Sequence, residues 1–316
     1  MKNKMKWTQK SQEKYNQDLK DKIVELKKKR KAVILAHNYQ RREVQDIADI
    51  QGDSLALSRA AAETDSDVIV VCGVRFMAES ASILNPDKKV ILPVIEAGCP
   101  LADMINVDKI NELKRQHPGV PVVCYVNSSA ELKAASDICC TSSNAVGVVT
   151  SLSAKKVIFI PDKNLGLYVA SEVPEKEIIY WEGFCPSHVR LSREDLLQIK
   201  RLHPQAKILV HPECYPDVLK LADGVCSTKQ MFDYVASSDC REFIIGTEKG
   251  IIYGLSKKYP DRKFYLASER LLCADMKLTT LGWVAHALEF MKYEVKVPEE
   301  IRIKAQKALD KMLEIK

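Results

Sequence analysis

No stretch of this 316-residue chain comes near the roughly 18 consecutive apolar residues that a membrane-crossing helix requires. The opening residues, MKNKMKWTQKSQEKYNQD, contain no apolar segment of the kind a secretory signal needs. The chain is therefore expected in the cytoplasm, with no membrane partner and its ten cysteines mostly reduced. No two cysteines form a Cys-x-x-Cys pair, which disfavours zinc ribbons and thioredoxin-like redox motifs. A basic folded body is missing too. The net charge is +6, but residues 1–31 hold 12 of the 48 Lys/Arg and only 4 of the 42 Asp/Glu, so the remainder is slightly acidic. Nucleic-acid binding would call for a basic face on the folded body, so no nucleic-acid partner is expected. The segment DLKDKIVELKKKRK reads instead as an amphipathic helix with an exposed lysine-rich face.

What is present is repetition. The strand-like runs VILAHNY (33–39), VVCYVN (122–127) and KILVHPE (207–213) place His37, Tyr125 and His211 in one column, spaced 88 and 86 residues. Tyr39, Asn127 and Glu213 form a second column at the same spacings, and Ser54, Ser142 and Thr228 a third. Each copy closes on a cysteine: Cys99, Cys185 and Cys273, 86 and 88 residues apart. Four elements in one order at one period are internal repeats, and they override the two-domain expectation from length. The boundaries read as a basic helical extension over 1–31, then α/β repeats over 32–99, 100–185 and 186–276. The helices of 277–316 are expected to pack on the first repeat.

Within each repeat, continuous apolar runs such as VIVV and KVIFI alternate with helical stretches such as SLALSRAAAE and REDLLQIKRL. Such runs suit strands buried on both faces, so the fold class is α/β: three similar α/β/α sandwiches with short parallel sheets in pseudo-threefold arrangement. Sites in such sheets lie outside the carboxyl ends of the strands, where all these columns fall. One central cavity then receives polar residues, a hydroxyl and a cysteine from every repeat.

A lone histidine or tyrosine is most often structural, but six polar side chains in equivalent places argue for a shared pocket. Ser54, Ser142 and Thr228 precede helical segments, where they can cap a helix, bind an anion, or do both. Arg75, Lys163 and Lys249 follow the third strands and either add positive potential or are ordinary surface residues. Cys72, Cys124, Cys139, Cys140, Cys214, Cys226 and Cys240 form no repeat column and read as small buried hydrophobes, with Cys139–Cys140 close enough to Ser142 to line the pocket. Three thiolates on one axis can hold an iron–sulfur cluster with one iron left open, whereas electron-transfer clusters usually take four cysteines. An open iron is a Lewis acid suited to eliminating water, with Glu213 or a histidine moving protons.

The ordered set ILAHNYQ, GDSL, FMAES, GCP, YVNSSAELKA, CTSSNA, PDKNLG, FCPSH, HPEC, STKQM and IIGTEKG, followed by Cys273, resembles the quinolinate synthase family of NAD biosynthesis over nearly the whole chain from residue 31. The resemblance implies condensation of iminoaspartate with dihydroxyacetone phosphate to quinolinate, phosphate and two waters. It implies one [4Fe-4S] cluster on Cys99, Cys185 and Cys273. It also implies substrate contacts from His37, Ser54, Tyr125, Val126 (main chain), Asn127, Ser142, His211, Pro212, Glu213 and Thr228. Tyr39, Glu213, His37 and His211 would be catalytic, with His188 near the cluster. L-aspartate oxidase or aspartate dehydrogenase would supply the imine. Two features depart from the family pattern: the N-terminal extension is longer than the core requires, and GF rather than GH precedes Cys185. Two alternatives share the three-cysteine logic: an enzyme of the diphthamide type that cleaves S-adenosylmethionine, and a non-catalytic iron–sulfur sensor. Neither requires the HNY, YVN and HPE set.

Overall fold

A computed structural model of the protein describes residues 9–315; the first eight residues of the basic extension and Lys316 lie outside the described residues. Three four-stranded sheets carry the fold, each parallel throughout. The first comprises β1 (Ala32–His37), β2 (Ile50–Gly52), β3 (Val68–Cys72) and β4 (Lys89–Ile91), in the order β2-β1-β3-β4. The second comprises β5 (Val122–Tyr125), β6 (Ile138–Cys140), β7 (Lys156–Ile160) and β8 (Glu177–Tyr180), ordered β6-β5-β7-β8. The third comprises β9 (Lys207–Val210), β10 (Gly224–Val225), β11 (Glu242–Gly246) and β12 (Lys263–Leu266), ordered β10-β9-β11-β12. The repeated topology and the flanking helices make this an α/β protein of three similar units.

Each unit repeats even its edge chemistry. Asp49, Asp137 and Asp223, again 88 and 86 apart, accept the backbone N–H of Ile34, Val122 and Ile208 at 2.8 Å. Their own N–H groups return bonds to Ile34, Val122 and Ile208 carbonyls, so one aspartate ties the second strand to the first in every unit. β3 is buried at all five positions, as its unbroken apolar run requires.

The helix Gln9–Arg30 precedes the first sheet. Its lysines are mostly exposed, but Ile23 and Leu26 are buried against Ile34, Val68, Val70, Leu281 and Val284. It therefore covers one face of the first sheet together with the helix Leu281–Phe290. The last helix, Glu299–Glu314, behaves differently from the expectation for 277–316. It seats Ala305, Ala308, Leu309 and Met312 mainly against β6 and the helix Ala130–Ala134 of the second unit, and meets the first through the helix Arg75–Leu84 and through Arg59, whose guanidinium donates to the Leu313 and Ile315 carbonyls. An apolar stripe specifies that a helix must dock, not which surface receives it.

Candidate active site

The first strands stop earlier than their apolar runs suggest. β1 ends at His37, β5 at Tyr125 and β9 at Val210, so Tyr39, Asn127 and Glu213 lie in turns beyond them. Strand alternation therefore does not aim these pairs. In two units a local hydrogen bond does it: the N–H of Tyr39 donates to His37 Nδ1 at 3.1 Å, and the N–H of Glu213 donates to His211 Nδ1 at 3.3 Å. Both imidazoles thus accept through Nδ1 and carry their proton on Nε2. Burial lowers each pKa to about 3, with the Lys277 charge adding to the effect at His37 and the His188 ring at His211.

The hydroxyl column also shifts in meaning. Asp53 and Ser227 are the residues that cap the helices Ser54–Glu63 and Thr228–Ser237, accepting from the N–H groups of Ala56 and Gln230. Ser54 and Thr228 are the first helical residues, which frees their hydroxyls. In the second unit the helix begins only at Ala145, and Ser142 sits in the turn before it. Ser143 joins the three units here: its Oγ contacts Asp53 Oδ2 and lies 2.9 Å from Ser227 Oγ.

The ends of the first strands of all three units open on one cavity. His37, Tyr39, Ser54, Tyr125, Asn127 and Ser142 line it, with His211, Glu213 and Thr228 from the third unit. Cys99, Cys185 and Cys273 line it as well. Val126 and Pro212 are not among the lining residues, nor are Cys139 and Cys140, whose side chains stay in the core of the second unit. Arg75, Lys163 and Lys249 do not reach the cavity either; they pair with Glu79, Glu182 and Glu269.

The three lining cysteines share one local geometry. Each precedes a short 3₁₀ turn, over Ala102–Met104, His188–Arg190 and Asp275–Lys277. At the first two, the backbone N–H of the residue three positions on, Ala102 and His188, donates to the Cys99 and Cys185 carbonyls. Burial pushes all three thiols up, Cys99 to about 12. A cation offsets that penalty directly, because a thiolate bound to a metal is no longer a bare buried charge. Donor atoms of Cys185, His188 and Glu213 also lie within 4.8 Å of one another. The donor set thus fits a metal or metal–sulfur group.

Around these thiols runs a dense buried network. His188 Nδ1 lies 2.6 Å from Glu213 Oε2 and 3.2 Å from Cys185 Sγ, while its Nε2 is 2.8 Å from Thr247 Oγ1. Thr247 Oγ1 is 2.6 Å from Tyr39 Oη, which accepts from Thr228 Oγ1 at 2.9 Å. Burial pushes the Glu213 carboxyl up, but His188, His211 and the Tyr125 hydroxyl together outweigh it and hold the group below the usual carboxylate range. Burial drives the Tyr39 phenol well above its ordinary value, so it stays a neutral hydroxyl. Glu213 Oε1 and Asn127 Oδ1 are buried and find no partner among the described residues.

Tyr39 is held by a close approach from the third unit. Any Cβ on Gly250 would sit 2.6 Å from the Tyr39 carbonyl oxygen, and Lys277 Nζ bonds that same oxygen. Lys277 also pairs with the fully buried Glu248, at 3.0 Å to Oε1. Asp53, Thr141, Glu248 and Met276 line the cavity without having been singled out from the sequence. A signal existed for Glu248: it shares a column with Asp162 and Val74 at the same 86 and 88 spacings. That column is polar in only two of three copies, which hides it.

Parallel strand ends, buried acid–base groups and three thiols around one cavity define an α/β enzyme with a metal-capable centre. Residues 21–314 match the family described as quinolinate synthetase A protein. The chain is 58% identical over 300 residues to quinolinate synthase of Pelobacter propionicus, covering 95% of this chain and 99% of that one. It is 57% identical over 296 residues to the Alkaliphilus metalliredigens quinolinate synthase, covering 94% and 98%. It is 56% identical over 299 residues to quinolinate synthase 1 of Methanosarcina acetivorans, covering 95% and 98%. The chain belongs to the quinolinate synthase family and is an enzyme of NAD biosynthesis. Among the described residues, no helix is long and apolar enough to cross a membrane.

Proposed function

We propose that this enzyme condenses iminoaspartate with dihydroxyacetone phosphate, releasing quinolinate, inorganic phosphate and two waters. The observation that carries the reading is the convergence of three equivalent polar sets and three equivalent thiols on one cavity. Both substrates are anionic, and the cavity offers them donors. His37 and His211 present Nε2–H groups, because their Nδ1 atoms are occupied by backbone N–H. Ser54, Ser142 and Thr228 add hydroxyls, and Tyr125 and Asn127, which also line the cavity, complete the substrate contacts.

Cys99, Cys185 and Cys273 would hold one [4Fe-4S] cluster. When bound, the cluster supplies a Lewis-acidic iron without a protein ligand, suited to a leaving hydroxyl. The protein's own part is proton traffic. Ring formation requires moving protons between carbon, nitrogen and oxygen while two waters leave. Glu213, ionised and with Oε1 unpartnered, is placed to take a proton. Tyr39, neutral and doubly hydrogen-bonded, is placed to give one. The enzyme would work in the cytoplasm, with L-aspartate oxidase or aspartate dehydrogenase supplying the imine. Anaerobic reconstitution, iron and sulfide analysis and a quinolinate assay test the reading. About four irons per chain with quinolinate formation is the expected result; a reconstituted protein that makes no quinolinate from the two substrates overturns it.

A further inference from the structure

Lys133 is fully buried, yet no carboxylate pairs with it among the described residues. It lies on the helix Ala130–Ala134, just past the turn that carries Asn127. Its Nζ donates to the Ser128 carbonyl oxygen and sits over the Phe76 ring of the first unit, 5.7 Å from the centroid. Glu79, on the first-unit helix packed alongside, spends its oxygens elsewhere: Oε1 on Arg75 and Oε2 on the Ala130 N–H. A bare ammonium in a dry core is strongly penalised, so a buried lysine is normally found against a counter-charge.

The group placed to supply that charge is a thiol. Cys124 is also fully buried, and its Sγ lies 3.0 Å from Ser128 Oγ. Ser128 thus meets Lys133 through its carbonyl and Cys124 through its hydroxyl. Cys139 is the register partner of Cys124 on β6. Burial pushes the Cys124 thiol up, but Cys139, Ser128 and the Lys133 charge outweigh it and bring it down to about 7. Burial drives Cys139 and Cys140 well above the ordinary thiol value, so both keep their protons.

We propose that Lys133 is a positioning residue: paired across Ser128 with a Cys124 thiolate, its ammonium pins the turn that presents Tyr125 and Asn127 to substrate. The proposal rests on the substrate contacts proposed above. Cys124 immediately precedes Tyr125 and Ser128 immediately follows Asn127, so the pair grips the turn at both ends. Tyr125 and Asn127 line the cavity, and so does Phe76, the ring beneath the ammonium. One buried charge pair therefore holds cavity walls from two units without touching substrate itself.

Lys133→Met keeps an unbranched side chain and removes the charge. Cys124 can then take up a proton and donate to the Tyr125 carbonyl, 3.5 Å away, so no charge is stranded. In the cluster-loaded enzyme this variant is expected to keep its iron and sulfide, to raise KM and weaken quinolinate binding about tenfold, and to hold kcat within about threefold. The infrared S–H stretch gives a readout that packing alone would not move. Lys133→Met should gain one S–H band that the wild type lacks, and the band should vanish again when Cys124→Ala is added. Wild-type KM and quinolinate affinity in Lys133→Met would overturn the positioning role, and an S–H spectrum unchanged by the substitution would overturn the charge pair. Should Lys133→Met not fold, Cys124→Ser decides the pair alone: it should leave every wild-type S–H band in place, and the loss of one overturns the proposal. Failure of the synthase reading shows separately, as a wild-type enzyme that forms no quinolinate while the S–H bands behave as expected.

Discussion

Glu213 and His188 meet at 2.6 Å, each almost wholly buried, and the same imidazole nitrogen lies 3.2 Å from Cys185 Sγ. The carboxylate placed for proton transfer is thus one side chain away from a cavity thiol. Changing Glu213 should disturb chemistry more than assembly. Glu213→Gln is expected to retain iron and quinolinate binding and to lose about 10²–10⁴-fold in kcat. Steady-state kinetics beside an iron assay checks this, and near wild-type turnover would remove Glu213 from the mechanism.

The thiols separate by place. Replacing Cys99, Cys185 or Cys273 with serine is expected to abolish stoichiometric iron and sulfide, because each lines the cavity from a different unit. Cys72 is buried in β3 away from that cavity, so Cys72→Ala should keep its iron and lose only about 1 kcal/mol of stability from packing. Metal analysis and thermal unfolding of the two sets give opposite patterns if the assignment is right.

The buried histidines set a pH dependence. In the unfolded chain His37 and His211 take up protons near 6.5, whereas in the fold they resist until about pH 3. Between these values the unfolded state binds more protons, so their contribution to stability is full above 6.5 and falls as pH drops. Each histidine should cost about 1.4 kcal/mol per pH unit in that window. Thermal midpoints at pH 7 and pH 5 should differ more in wild type than in a His37→Gln variant. Identical pH sensitivity would mean that His37 is not held neutral.

Lys277 carries the strongest stability prediction. Glu248 is fully buried and pairs with the largely buried Lys277, which also reaches the Tyr39 carbonyl. Lys277→Met strands a carboxylate and should destabilise by about 3–5 kcal/mol. Adding Glu248→Gln should recover part of the loss, since the stranded charge is then gone. Unfolding of both variants decides it; a Lys277→Met protein as stable as wild type would make the pair dispensable.

By itself the sequence determined the three units, the parallel strands within them and the cavity thiols. Each of these is a local or periodic property: apolar runs report burial, and an 86- and 88-residue period places like residues at like strand ends. It also marked most of the polar lining, from His37 through Thr228. It did not mark Thr247, Glu248 or Lys277, nor the pairing of His188 with Glu213. Nor did it say that Glu299–Glu314 seats chiefly on the second unit. The partners in these contacts are 25 residues apart for His188 and Glu213, 59 for His188 and Thr247, and more than 200 for Thr247 and Tyr39. No spacing rule connects such pairs, because they arise only when separately formed units dock with strand ends facing inward. Docking is decided by the fit of whole surfaces, as where Gly250 lets two backbones approach at Tyr39, and that fit exists only in the tertiary structure.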